Sequence, residues 1–321
     1  MTCLLLRLTA LLMVLGAEQV AGQDTWPSRA ARFVVPSSPG GAADTFARHL
    51  AQALVPVLKQ QFIIDNRPGA SGNVGAEIVA RSAPDGHTFL VASNASIVIG
   101  PSLYKDLSFS IERDLTPVAQ GVISPMAFTI HPSLPVRTFG EFIALAKRQP
   151  GQINFGSPGM ASASFLALKM TEEATNARFM HVPYKGAAPT LLGLLRGEIA
   201  FMGSDVNTVR PQIQSKKLVA IVASHRTHHL PGTPSFADAG YPSIQSFPSF
   251  SVMAPVRTPR EVVQRLSVEI GKAMKTPSMM ERLDGSALLP VFDTPEEFAA
   301  FLGKERARYG DVIRRNNITA E

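Results

Sequence analysis

The chain has 321 residues, 45% hydrophobic and only 17% charged, which excludes a disordered or small disulfide-stapled protein and asks for about two domains with full cores. Its 31 Lys and Arg against 25 Asp and Glu give a net charge of +6 without basic blocks, a pattern that favours small anions over nucleic acid. The 25 prolines and 24 glycines are dispersed, as many short loops require, and no repeat period appears.

In chain order, Arg7 precedes an apolar run from Leu8 to Ala17, and Val20-Ala21-Gly22 places small residues before Gln23. This is the pattern of a secretory signal peptide cleaved near Gly22. A membrane span needs about 20 apolar residues, and this run has about half that. Cys3, the single cysteine, lies inside the segment, so the mature chain is expected to carry no thiol and to rest on core size alone. Loss of Arg7 and Glu18 together leaves the charge at +6.

From Arg32 onward short apolar runs alternate with amphipathic stretches, the α/β pattern of strand-helix-strand units. Strands are expected at Ala31 to Pro36, Phe62 to Asp65 and Thr88 to Ala92, with helices at Ala43 to Leu58 and Gly75 to Ser82. Two long apolar runs broken by proline, Leu115 to Pro132 and Phe247 to Pro255, suit extended strands that cross between domains. Between them a second α/β unit is expected. Its helices fall at Thr138 to Lys147, Ser162 to Ala174, Pro189 to Leu195 and Val209 to Ser215; its strands fall at Gln152 to Gly156, Phe179 to Val182, Glu198 to Gly203 and Leu218 to Ala223. Helices Pro259 to Lys275, Ser278 to Leu283 and Pro295 to Asn316 then return to the first domain. The expected division is a signal peptide over 1–22, domain 1 over 23–124 and 249–321, and an inserted domain 2 over 125–248. Two crossings between two α/β domains make a hinge with a cleft.

Ser37-Ser38-Pro39-Gly40-Gly41-Ala42-Ala43-Asp44 follows the first strand and opens a helix, where paired glycines and free N–H groups suit an anion, or simply a tight turn. The GGAAD spacing is not a dinucleotide fingerprint. Ser157-Pro158-Gly159-Met160-Ala161-Ser162 occupies the same place in the inserted domain, with Ser162 also readable as a plain N-cap. Ser93-Asn94-Ala95 sits at the carboxyl end of the third strand, where open α/β sheets bind ligands. Tyr184-Lys185-Gly186-Ala187 offers a phenol, a cation and approachable backbone. Asp205 either accepts from a ligand ammonium, hydroxyl or bridging water, or caps the next helix. G-x-S-x-G is absent from Gly69-Ala70-Ser71-Gly72-Asn73 and from the Ser157 loop, so no nucleophile elbow is expected. His225, His228 and His229 form H-x-x-H-H in a Leu-Pro-Gly context, but no acidic or cysteine co-ligand lies within that stretch, and no metal is assigned.

The loops in this order carry a resemblance. FVVPSSPGGAADTFAR, IDNRPGASGNVGAEIVARSAPDGHTFLVAS, LYKDLSFSIERDLTPVA, QPGQINFGSPG, HVPYKGAAPTLLGLLRGEI, LPGTPSFADAGYP and APVRTPREVVQRL with TPEEFAAF are similar to the Bug family of periplasmic solute-binding proteins, receptors of tripartite tricarboxylate transporters. The resemblance implies a two-domain Venus-flytrap fold of the type II class with two crossing strands as hinge, export to the periplasm, no cofactor, no chemistry, and a monomer. Its partners would be a small carboxylate (a dicarboxylate, amino acid or aromatic carboxylate) and a two-subunit membrane permease.

It also implies that Ser37, Pro39, Gly40, Gly41, Ala42 and Asp44 grip a ligand carboxylate together with Ser157, Gly159 and Ser162, partly through water. Ser93, Asn94, Ala95, Tyr184, Lys185, Gly186, Ala187 and Asp205 would complete the pocket. Ala161, Phe165 and Gly203 depart from the family's usual glycine, histidine and aromatic, which implies a ligand of different size or polarity. The competing class is an exported hydrolase or isomerase using Ser157, Lys185 or Asp205, which would need a base beside its nucleophile. A receptor feeding a sensor kinase is the third possibility.

Overall fold

The computed structural model describes residues 26–104 and 107–319. The segment expected to be a signal peptide, its expected cleavage site and Cys3 lie outside the described residues.

The first sheet begins with β1 (Ala31–Val35), α1 (Ala42–Leu58), β2 (Phe62–Asn66), α2 (Asn73–Ala80) and β3 (Thr88–Ser93). The three strands are parallel, with Ala31 opposite Phe62 and Arg32 opposite Thr88. Buried Phe46, Leu50 and Leu54 form the helix face that α1 lays on this sheet. After two short helices, α3 (Gly100–Leu103) and α4 (Ile111–Asp114), β4 (Leu115–Ile123) runs to the lobe boundary. Pro117 is accommodated at a register shift, where Val252 pairs with Ala119 and Met253 with Pro117.

The long apolar run of Leu115 to Pro132 is therefore two strands. Pro125 has no N–H to offer a ladder, and the chain leaves one sheet at Ser124 and joins the other at β5 (Met126–Ile130). The second sheet adds α5 (Phe139–Arg148), β6 (Asn154–Ser157), α6 (Ala163–Thr175), β7 (Met180–Pro183), α7 (Ala187–Leu195), β8 (Phe201–Asp205), α8 (Val206–Gln214) and β9 (Val219–Ala223), in the order β7-β6-β8-β5-β9. The chain then returns through β10 (Ser249–Pro255), antiparallel to β3 and β4, followed by α9 (Arg260–Met274), α10 (Pro277–Gly285), β11 (Leu289–Pro290) and α11 (Pro295–Arg315). The first sheet is ordered β11-β4-β10-β3-β1-β2. The two crossings lie side by side, Ser124 N donating to Pro248 O at 2.9 Å.

Two expected elements are corrected. The strand expected to stop at Gly203 continues to Asp205, because Gly203 sits mid-strand: an added Cβ would meet Ser164 Cβ at 2.9 Å and Phe128 Cε1 at 3.1 Å. The last helix does not belong to the first lobe alone. Its apolar face, with Phe298, Leu302, Tyr309 and Val312 buried, packs on β4 and also on α6, and Arg315 and Asn316 reach Glu173 of the second lobe.

Candidate functional site

Both lobes line one cavity of about 320 Å³, bounded by the start of α1, the end of β3, the start of α6, the end of β8 and the second crossing. Nine of the expected residues meet there: Ser37, Gly41, Ala42, Ser93, Asn94, Ala95, Gly159, Ser162 and Asp205. Among the described residues that line it, none is Lys, Arg or His, and Asp205 is the single ionisable side chain.

Two helix N-termini from opposite lobes open on this space. Gly41 is the N-cap of α1 and makes no side-chain cap, so the first-turn N–H groups that find no partner within a helix remain for a ligand. Their partial positive charge favours an anion. Gly40 holds φ +83, a left-handed conformation that glycine tolerates, and its N–H donates to Asp44 at 2.9 Å. Asp44 itself does not reach the cavity. Its carboxylate is consumed behind the loop by Gly40 N, Asn66 Nδ2 and Arg48 Nε. Burial works against its charge, yet those donors hold the carboxyl below the usual carboxylate range. Asp44 thus braces the loop. Pro39 and Gly40 are exposed and are not on the wall.

On the other lobe, Ser162 is the N-cap of α6: its Oγ accepts from Phe165 N at 3.2 Å and donates to Gly159 O at 2.6 Å. Ser157 is fully buried and faces away from the cavity, with His181 Nε2 2.6 Å from its Oγ. A base therefore does stand beside this serine, a half-buried imidazole on a buried hydroxyl, and neither lines the cleft. Burial, and then the charge of Lys169, draw the His181 imidazole down to about 4 against the opposing pull of Glu172. The pair ties β6 to β7.

The Tyr184 to Ala187 segment also lies off the wall. The Tyr184 ring fills the space left by Gly156 and Gly193, Lys185 and Ala187 are exposed, and Gly186 at φ +111 turns the chain into α7. Asn94 lines the cavity, but its amide is spent on the second crossing, donating to Phe247 O at 2.9 Å and accepting from Ser249 N at 3.3 Å.

Asp205 ends β8 at the N-cap position of α8 and makes no side-chain cap. Its Oδ1 is buried without a hydrogen-bond partner, as is the Ser37 hydroxyl on the facing lobe. Burial pushes the carboxyl up, against the Ser124 hydroxyl and its own N–H. Two unpartnered polar atoms on facing walls of one cavity are places for ligand or bridging water. Of the three departures, Ala161 alone faces the cavity. Phe165 is buried with its ring 4.3 Å from that of His181, and Gly203 is closed over by Phe128 and Ser164.

Sequence reading missed Ser71, Pro248 and Phe250, which also line the cavity. Ser71 was within reach, being part of NRPGASGNVG, whereas Pro248 and Phe250 arrive there only because β10 re-enters the first sheet. The histidine cluster is rearranged too. His225 packs on Phe247, while His228 and His229 meet Asp284 of α10, a co-ligand distant in sequence.

The model of the tripartite tricarboxylate transporter family receptor matches residues 46–318. Protein BugT of Bordetella pertussis is 32% identical over 317 residues, 98% of this chain and 97% of that one. A structure of an R. palustris protein with adipate superposes with a TM-score of 0.84 at 28% identity, covering 92% of this chain and 99% of that one. MatC from Rhodopseudomonas palustris with bound malate gives 0.78 at 26%, covering 90% and 100%. In fold these neighbours share the two-lobed arrangement described above, and no helix among the described residues is long and apolar enough to cross a membrane. With the family model covering most of its length and a relative 32% identical along nearly all of it, the chain belongs to the tripartite tricarboxylate transporter receptor family.

Proposed function

We propose that this receptor is exported, captures a small carboxylate between its lobes without changing it, and presents it to a two-subunit membrane permease. The observation that carries the reading is the cavity itself: two helix N-termini from opposite lobes face a space with no basic side chain. An anion held there is held by backbone N–H groups and hydroxyls, which distinguish a carboxylate by geometry as well as charge. The residues that hold it in this reading are Ser37, Gly41, Ala42, Ser93, Ala95, Gly159, Ser162 and Asp205, with Asp44 and Asn94 bracing the walls. The adipate and malate bound to the two R. palustris proteins support a carboxylate ligand of this size.

The enzyme alternative rests on Ser157, whose imidazole neighbour is real but, like the serine itself, is not on the cavity wall. Mass spectrometry of the compound released from natively purified, denatured protein tests the proposal. The expected result is an intact small carboxylic acid. A mixture of substrate and converted product, or a ligand with no carboxyl group, overturns it.

A further inference from the structure

The geometry points to a second site, away from the cleft: a transition-metal site of zinc-like chemistry made by His228, His229 and Asp284, with ligands from both lobes. His228 and His229 lie in the segment after β9 of the second lobe, and Asp284 is in the last turn of α10 of the first. Both Nε2 atoms converge on one oxygen, His228 at 3.1 Å and His229 at 3.4 Å from Asp284 Oδ1. Those separations bracket the edge of a tetrahedron with bonds of about 2.0 Å, which is ~3.3 Å. All three donor atoms lie within 4.8 Å of one another, and among the described residues no other group of three such side chains does so.

A second observation aims at the same point. The His229 side chain is 11% exposed, and its Nε2 is buried with no hydrogen-bond partner. The position is built rather than accidental: Thr227 Oγ1 accepts from His229 N, and Leu230 and Ala223 share one buried apolar cluster with Ala287 just past α10. Two imidazoles and a carboxylate with an open fourth position are the donor set zinc accepts when water completes the site.

Arg210 restrains the site. Its Nη1 lies 2.9 Å from His229 Nδ1, and since a guanidinium can only donate, Nδ1 accepts and the imidazole proton sits on Nε2. Loading moves that proton to Nδ1 and displaces Nη1, while Nη2 keeps its bond to Gly285 O at 3.1 Å. Arg210 therefore lowers affinity by its charge and by the bond that must be given up. An ion held this way ties the lobes together beside the crossing strands.

Calorimetric titration with zinc chloride, on the purified chain without a histidine tag, tests the site. One ion should bind per chain. His229→Ala and Asp284→Asn should each weaken binding by about tenfold or more, and Arg210→Ala should tighten it. Zinc should also raise the melting temperature of the parent chain, and that of Asp284→Asn by distinctly less at the same concentration. Absence of zinc binding, or binding equal in the parent and in the His228→Ala/His229→Ala double variant, overturns the inference.

Discussion

Gly40 and Gly41 are neighbours with opposite duties, and substitution separates them. Gly41 has an ordinary φ of −75 and an added Cβ meets nothing closer than Ser38 O at 3.6 Å, so Gly41→Val should fold normally while its side chain crowds the anion's approach. Binding should fall at least about tenfold with the melting temperature little changed. Gly40, at φ +83, has open space but the wrong backbone for a branched residue, so Gly40→Val should cost about 1–2 kcal/mol of stability. His181 supplies a pH signature. Its folded value, about 4, lies below the unfolded 6.5, so the unfolded chain takes up the proton first. The stability it contributes is complete above 6.5 and is lost as pH falls from there toward 4. His181→Gln, which hydrogen-bonds without titrating there, should flatten the melting-temperature profile across that window, by on the order of 1–2 kcal/mol after solvent screening. At this scale the sequence pointed to the loops but not to which atoms face the cleft. Asp44 and Ser157 belong to the right loops yet turn inward, because each satisfies something behind the wall, whereas Tyr184 stands on a segment of which no residue lines the cavity.

Among the elements, helices were the most legible, since their ends carry chemistry that sequence displays. Thr138 with Glu141 and Thr294 with Glu297 both form capping boxes, and the expected helix starts there fall within one residue of those observed. Strands were less so. Gly203 reads as a stop but is packed mid-strand, and the two-residue β11 exists only by pairing with β4. The last helix shows the same limit: its amphipathic face is plain in the sequence, but that it covers both lobes is a fact of tertiary packing. Ser162 tests the α6 terminus as an element. Because its hydroxyl is engaged in the cap, Ser162→Ala should cost about 1 kcal/mol of stability by thermal melting. Ser157→Ala, removing a buried hydroxyl outside the cavity, should lower stability while leaving ligand affinity largely intact.

For the whole molecule, two lobes joined by adjacent crossings and sharing one cavity suit the proposed reading in which closure is the functional event. A ligand that touches both α1 and α6 binds best when they approach, and shifts the population by that difference in affinity. At a hundred times its dissociation constant such a ligand should add about 2.7 kcal/mol to stability. A carboxylate that does so should also compact the protein in small-angle scattering, and stabilisation without compaction would retain the receptor while rejecting the hinge. The central claim, that backbone N–H groups at two helix ends recognise the negative charge, is tested most directly by calorimetry of the tightest-binding carboxylate against its own primary amide. The account predicts that the amide, equal in size but uncharged, binds at least about tenfold more weakly. Equal affinity for acid and amide would contradict it.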